Sequence, residues 1–357
     1  MKLVKDDVRV KKLRTLYQEH EKTSLILTRA PNLGWLLGGR VQIGIAGESC
    51  VCTAVINDED VIVITNNIEG DRLAAEEFGS IPVIRAAQWD DPETAKSLIA
   101  AAAGCNPMRD SDVEALLLPI RTVLLPQQQD EARDLCRKTA SAVTRAAFQV
   151  RPGMTEFEIS GIVAQEVYSA GLIPNVLFTP ADKHIQKWRH SLSTDNRLKK
   201  IVMLSLGAQR NGMYCSITRF VCFGNPDKLT QQAWMISAKV ASEIYSQTVP
   251  GTPYDQLFFK IQRAYDHADA GEQIALHHQG GLGGFQTREL RIDAKTHGAV
   301  LEGQLYAWNP SAPGYKVEDM LLVGKSDNEI LTFTPEFPYS SFEYGGKTWF
   351  IPQPLIF

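Results

Sequence analysis

The sequence predicts an α/β domain over residues 1–126, followed by an α+β domain over residues 127–357 that contains an internal repeat. Three observations carry this reading. Short apolar runs alternate with helical segments in the first third of the chain. The polar stretch Pro126-Gln127-Gln128-Gln129-Asp130 then marks a junction, and beyond it a pair of helices separated by Pro-Gly occurs twice. At 357 residues the chain is long enough for two separate cores.

Val8, Val10, Leu13, Leu16 and Tyr17 recur at helical spacing and predict an opening helix over 8–21. Apolar runs at Ser24–Thr28, Cys50–Asn57, Val61–Thr65 and Ile81–Ile84 read as strands divided by turn residues such as Asn57-Asp58-Glu59-Asp60. Helices near 70–78 and 93–103 alternate with them. After the junction, Leu135, Ala142, Val143, Ala146 and Val150 line one face of a long helix over 130–150, which Pro152-Gly153 stops. Thr155 caps the next helix with Glu158 as its reciprocal partner, and Gly171 ends it. The same grammar returns in helices 229–248 and 253–269 around Pro250-Gly251, and Pro152 and Pro250 lie 98 residues apart. Apolar segments at 201–206 and 217–223 follow the first pair, and 299–308 and 319–323 follow the second. Two similar halves imply a pseudo-twofold domain with a pocket between them.

Composition narrows the function. A formal charge of −4 supplies no basic face for nucleic acid, so a small molecule or a second protein is the expected partner. No apolar run reaches the roughly 20 residues that span a bilayer. Lys2, Lys5, Asp6 and Asp7 do not form a secretory leader. The six cysteines make no C-x-x-C pair, and Cys50 and Cys52 are too close for a zinc knuckle, so reduced thiols and a cytoplasmic location are expected.

Four segments carry a resemblance to a known family. Ser205-Leu206-Gly207 with Gly212-Met213-Tyr214-Cys215-Ser216-Ile217-Thr218-Arg219 resembles the pattern D-x-G … G-Y-x-S-D-x-T-R. His277-His278-Gln279-Gly280-Gly281-Leu282-Gly283-Gly284 resembles H-x-x-G-H-G-x-G. Trp308-Asn309-Pro310 resembles an E-P step, and Lys316-Val317-Glu318-Asp319 resembles R-x-E-D. In this order and spacing they are similar to the creatinase/aminopeptidase P group. The resemblance implies a creatinase-like N-terminal domain and a pita-bread C-terminal domain, assembled as a homodimer. Asn32-Leu33-Gly34-Trp35-Leu36-Leu37-Gly38-Gly39-Arg40 resembles the family's N-x-x-Y-L-T-G segment. It implies that Trp35 or Arg40 closes over the partner subunit's pocket.

In the metallopeptidases of this group, two Asp, one His and two Glu bind a pair of metal ions. Those positions here are Ser205, Ser216, Gly281, Asn309 and Glu318. Hard or borderline cations need several anionic oxygens and an imidazole, which one carboxylate does not replace. No metal and no cofactor are therefore expected, and Xaa-Pro aminopeptidase activity is not.

The remaining polar groups resemble those of creatinase, a member that uses no metal. His190, in Trp188-Arg189-His190-Ser191, matches its acid/base histidine, and an imidazole exchanges a proton near neutrality. Arg288 matches its carboxylate anchor, which a guanidinium grips through two parallel hydrogen bonds. His277 is expected to donate to the reacting carbonyl, Glu318 to orient or share the proton, and Asn309 and Ser216 to polarise the reacting group, with Ser205 beside them. Creatinase's two guanidinium-gripping glutamates fall on Thr218 and Asn309, so creatine is not expected as substrate. The reading is metal-independent hydrolysis of an amide, lactam or amidine-type C–N bond in a small carboxylate-bearing substrate, a class that ectoine hydrolase also represents. A pseudoenzyme that binds without chemistry, and a lyase or cyclase using the same proton-transfer groups, are the alternatives. Cys215 is expected to pack in the core rather than act as a nucleophile.

Overall fold

The computed structural model describes residues 2–4, 6–44 and 49–357, which fall into two compact units. The first comprises Met1–Thr122 with Arg210–Met213; the second comprises Val123–Gln209 and Tyr214–Phe357.

In the first unit a mixed five-stranded sheet runs in the order 83–87, 61–66, 52–56, 24–27, 107–109. Strand Ser24–Leu27 pairs antiparallel with Cys52–Ile56 and parallel with Pro107–Arg109, while Val61–Asn66 pairs antiparallel with Cys52–Ile56 and parallel with Val83–Ala87. Ile26, Val55, Ile62 and Ile64 pack with Ala102 and Ala103 of helix Pro92–Ala103. The opening helix spans Val8–Glu19 and is capped by Asp7, whose carboxylate accepts from the Arg9 amide at 2.9 Å. The strand expected at 81–84 lies instead at Val83–Ala87, and a helix not foreseen occupies Ala30–Leu37. Pro31 suits its first turn, because that position has no intrahelical N–H partner to lose.

The second unit carries the repeat. Helices Pro126–Gln149 and Glu156–Ser169 precede a four-stranded sheet ordered 355–356, 213–222, 201–210, 173–178. Helices Lys228–Gln247 and Tyr254–His267 precede a five-stranded sheet ordered 290–291, 280–282, 305–308, 319–322, 329–330. The Thr155–Glu158 capping box forms as expected: the Thr155 amide donates to the Glu158 carboxylate at 2.7 Å and Thr155 Oγ1 accepts from the Glu158 amide at 3.1 Å. The segment expected as a strand over 299–308 is strand only at Leu305–Trp308.

The two sheets meet where the Thr218 amide donates to the Glu318 carbonyl at 3.1 Å. Below this seam Arg219 is fully buried and donates to the Asp319 carboxylate at 2.9 Å and the Thr332 carbonyl at 2.7 Å. A buried charge needs such pairing, and it locks the two sheets in register beside the pocket. Trp308, Tyr306, Tyr245, Tyr265 and Phe220 fill the core on the helical side. No helix among the described residues is long and apolar enough to cross a membrane.

Candidate active site

Side chains alternate across an extended strand, so Lys316 and Glu318 fall on one face while Val317 points into the core. The hairpin of strands Ile201–Arg210 and Met213–Cys222 brings Ser205, Ser216 and Thr218 to the same place, and Arg288 reaches in from the segment after Leu282. Glu318 is the centre of this cluster. One of its oxygens accepts from Thr218 Oγ1 at 2.7 Å and from Lys316 Nζ at 2.8 Å; the other accepts from Arg288 Nη2 at 3.0 Å. Lys316 Nζ also donates to Ser205 Oγ at 2.9 Å, and Arg288 Nη1 donates to Ser216 Oγ at 3.1 Å. Burial alone would push the Glu318 carboxyl up, but the charges of Lys316 and Arg288, with hydrogen bonds from Lys316 and Thr218, hold it down to about 2. Burial pulls Arg288 below its usual range and Glu318 opposes that pull.

Three of the expected readings change in consequence. Glu318 stays ionised near neutrality, held so by Lys316 and Arg288, so it is not a proton carrier. Arg288 does not present a free fork to solvent: its guanidinium is tied to Glu318, Ser216 and the Thr287 carbonyl, with only Nε unpartnered among the described residues. Thr218, at the position of a substrate-gripping glutamate in creatinase, spends its hydroxyl on Glu318.

The five positions that hold paired metal ions elsewhere in this group do not fit a pair of divalent ions here. Ser205 and Ser216 are neutral and hydrogen-bonded to the two cations. Asn309 is buried, with its side-chain oxygen unpartnered. Gly281 has φ 151°, and a Cβ built on it would collide with the Leu290 carbonyl oxygen, so no histidine fits without moving the neighbouring strand. The remaining carboxylate is already neutralised by an ammonium and a guanidinium. Too little negative charge is left for two dications.

Beside this cluster stand three imidazoles. His190 Nε2 and His277 Nε2 lie 3.1 Å apart, and the His277 and His278 rings stack with centroids 4.3 Å apart. His190 is exposed on one side and stacks on Phe178 at 5.5 Å. Burial lowers His277 to about 3, helped by His278, Lys316 and His190; burial lowers His278 to about 4, helped by Arg288 and Arg291. Burial and Lys316 also lower His190, against the pull of Glu318. All three rings are neutral at pH 7. A narrow cleft lined by Trp188, Arg189, Met203, Tyr315, Lys316 and His277 opens beside them.

The segment that carries His190 is organised by a buried carboxylate the sequence did not flag. Glu156, at the start of helix Glu156–Ser169, is 0 % exposed. It accepts from the Ala181 amide at 2.8 Å, His184 Nδ1 at 2.9 Å, the Thr194 amide and hydroxyl at 2.9 Å each, and Asn196 Nδ2 at 3.1 Å. Arg189 adds a tie to the Ala312 carbonyl at 2.9 Å and to Gln273 at 2.6 Å. Lys316 was also missed, although its spacing of two from Glu318 in a strand was the signal that pairs them. His278 shares the imidazole cluster, where its ring stacks on His277.

Trp35 and Arg40 belong to the other unit. Trp35 is 3 % exposed, and a side chain this buried does not project into a second subunit without moving. Arg40 donates to Glu77 at 2.7 Å and Glu76 at 3.4 Å, so its charge is met within its own unit. Cys215 is fully buried, as packing requires, and all six cysteines are free.

Comparison with known proteins agrees with this architecture. Residues 9–151 match the creatinase/prolidase N-terminal domain. An uncharacterized peptidase of Staphylococcus saprophyticus is 23% identical over 233 residues, which is 62% of this chain and 65% of that one, just under two thirds of the relative's length. The prolidase of Pyrococcus horikoshii OT3 superposes with a TM-score of 0.75 at 18% identity, covering 92% of this chain and 99% of that one. The Xaa-Pro dipeptidase of Bacillus anthracis superposes with a TM-score of 0.72 at 14% identity, covering 98% and 99%. Residues 130–325, more than half of the chain, match metallopeptidase family M24, and the chain belongs to that family, with a creatinase-type N-terminal domain and a pita-bread C-terminal domain.

Proposed function

We propose that the chain is a metal-independent hydrolase of a C–N bond in a small carboxylate-bearing substrate, working in the cytoplasm. The observation that carries this is the Lys316–Glu318–Arg288 cluster, which puts two fixed cations among the family's metal-ligand positions beside a pair of neutral imidazoles. The relatives named peptidase, prolidase and dipeptidase support hydrolysis as the reaction class. The loss of four of five ligand positions argues against their metal chemistry and against Xaa-Pro cleavage.

In this scheme His190 is the acid/base. Held below its usual pKa, it is neutral at pH 7 and accepts a proton from water as the water oxygen bonds to the reacting carbon. The imidazolium returns that proton to the leaving nitrogen as the C–N bond breaks. His277, 3.1 Å away, fixes the tautomer of His190. Asn309 and Ser216 polarise the reacting group. Glu318 holds Lys316 and Arg288 in place, and the cluster's surplus positive charge receives the substrate carboxylate. A homodimer remains part of the proposal, with closure by residues other than Trp35.

Binding without turnover is the second reading, favoured by the two ion pairs that hold Glu318 ionised, which leave His190 without a carboxyl group to relay its proton. The test is a screen of amide, lactam and cyclic amidine carboxylates by mass spectrometry in oxygen-18 water, with His190→Ala as control. One labelled oxygen in the product, and a loss of at least about 100-fold in His190→Ala, are expected. Undiminished turnover in His190→Ala defeats the mechanism, and unlabelled product indicates a lyase or cyclase.

A further inference from the structure

The imidazole cluster has a property that acid/base chemistry does not use. One ring nitrogen from each of His190, His277 and His278 lies within 4.8 Å of one from each of the others. Four-coordinate zinc binds imidazole nitrogen at about 2.0–2.1 Å, which sets tetrahedral ligand nitrogens about 3.3 Å apart. The His190–His277 pair already meets this spacing at 3.1 Å. The third nitrogen needs to close by at most about 1.5 Å. His190, exposed at the cleft, has room to turn. His277 Nδ1 and His278 Nδ1 are buried and have no hydrogen-bond partner among the described residues, so lone pairs or N–H groups in this cluster lack the partners buried polar atoms normally have. None of the three is a position that holds metal elsewhere in the family; that histidine's place is Gly281.

We propose that His190, His277 and His278 form a binding site for one zinc or copper ion, and that the ion switches the chain off rather than on. Three imidazoles with an open fourth position suit zinc and copper, which also stand at the strong end of the divalent series. The donor set of three imidazoles selects against harder ions, while the charged groups nearby act on every dication alike. Lys316, Arg288 and Arg291 repel a cation here, and Glu318 alone attracts it. Manganese and magnesium, which rely on carboxylate oxygens, meet imidazole nitrogens in this cluster instead. The binding half stands by itself. The shut-off half rests on the hydrolase reading, because coordination occupies the His190 lone pair that would otherwise take a proton from water.

The test begins with chelator-treated full-length protein titrated with zinc chloride by calorimetry and with cobalt chloride by visible absorption. One ion per chain is expected, with the absorption of four-coordinate cobalt and no comparable binding of manganese. His278→Phe keeps a ring against His277 but removes a donor. It should weaken zinc by more than the roughly 10–100-fold that loss of an outer support costs. If that variant fails to fold, His190→Phe serves the same purpose, because binding rather than turnover is read. Absence of zinc binding, or equal binding in the variants, overturns the site and leaves the hydrolase reading untouched. Where a substrate is in hand, added zinc should abolish turnover and chelator should restore it. Turnover stimulated by zinc would overturn both the shut-off and the metal-independent reaction.

Discussion

Replacing Lys316 with Met tests whether the fixed cations hold this site together. Glu318 is displaced from 4.5 to about 2, and one pKa unit corresponds to about 1.4 kcal/mol, so its surroundings favour the ionised form by about 3 kcal/mol. Removing one partner from a buried ion pair typically costs about 3–5 kcal/mol, because the other charge stays buried. Arg288 and Thr218 remain on Glu318 in Lys316→Met, so the lower end, about 3 kcal/mol, applies. Glu318→Gln strands two buried cations and should reach the upper end, about 5 kcal/mol. The double variant Lys316→Met/Glu318→Gln leaves only Arg288, held by Ser216, and should cost less than the two single changes together. Denaturant unfolding followed by tryptophan fluorescence reads the right unit, since four of the six tryptophans lie in it. The midpoint should fall with the slope unchanged. A Lys316→Met protein within about 0.5 kcal/mol of the parent, the range of ordinary surface changes, would refute the argument that this ammonium neutralises Glu318.

Three further outcomes follow from the same geometry. Because Glu318 is depressed in the folded state, its contribution is fully present above about pH 4.5 and is lost as pH falls through about 2. Thermal midpoints should therefore hold down to pH 4.5 and drop below it, and the drop should be smaller in Lys316→Met, where Glu318 is less depressed. Added manganese should not raise the thermal midpoint of chelator-treated protein; protein that carries stoichiometric manganese and unfolds earlier when stripped contradicts the donor-set argument. Glu156→Gln removes the charge that gathers five hydrogen bonds around the His190 segment, so amides over 179–196 should exchange faster and stability should fall by about 1–3 kcal/mol.

The helical framework was legible in the sequence because its punctuation is local. Pro152-Gly153, Pro250-Gly251 and the Thr155–Glu158 cap act within a few residues of where they stand, and the four helices of the repeat appear where those signals put them. Helix Ala30–Leu37 was not legible, because Pro31 and Gly34 both read as breakers; here the proline occupies the first turn, where it is harmless. Strand Val83–Ala87 carries Arg85 at the edge of its sheet, where a charge reaches solvent, so apolar content misplaced it by two residues. In the site, residue types were readable but partnerships were not. Arg288 looked like a free anion receptor because its partner Glu318 lies 30 residues away, and Glu156 looked like an ordinary first-turn acid of an exposed helix. Its burial depends on a loop that closes over it from residues 181–196.

The charge balance of the pocket ties these points to the choice of substrate. The family pattern sets four carboxylates against two dications, which leaves a buried site close to neutral. This chain keeps one of those carboxylates and sets Lys316 and Arg288 against it, leaving one surplus positive charge among side chains that are almost wholly buried. Such a surplus is costly unless an anion meets it or water reaches it. Lys316 has a third N–H beyond its two partners and Arg288 has an unpartnered Nε, so donors as well as charge are left over. The neutral imidazoles beside them add no further positive charge at pH 7, and the neutral Asn309 and Ser216 do not favour a cation. On the proposed function, in which His190 is the base, spare donors and one spare positive charge suit a carboxylate attached to an uncharged, hydrolysable group. The same arithmetic disfavours a free guanidine or an amine, whose own charge would add to the surplus.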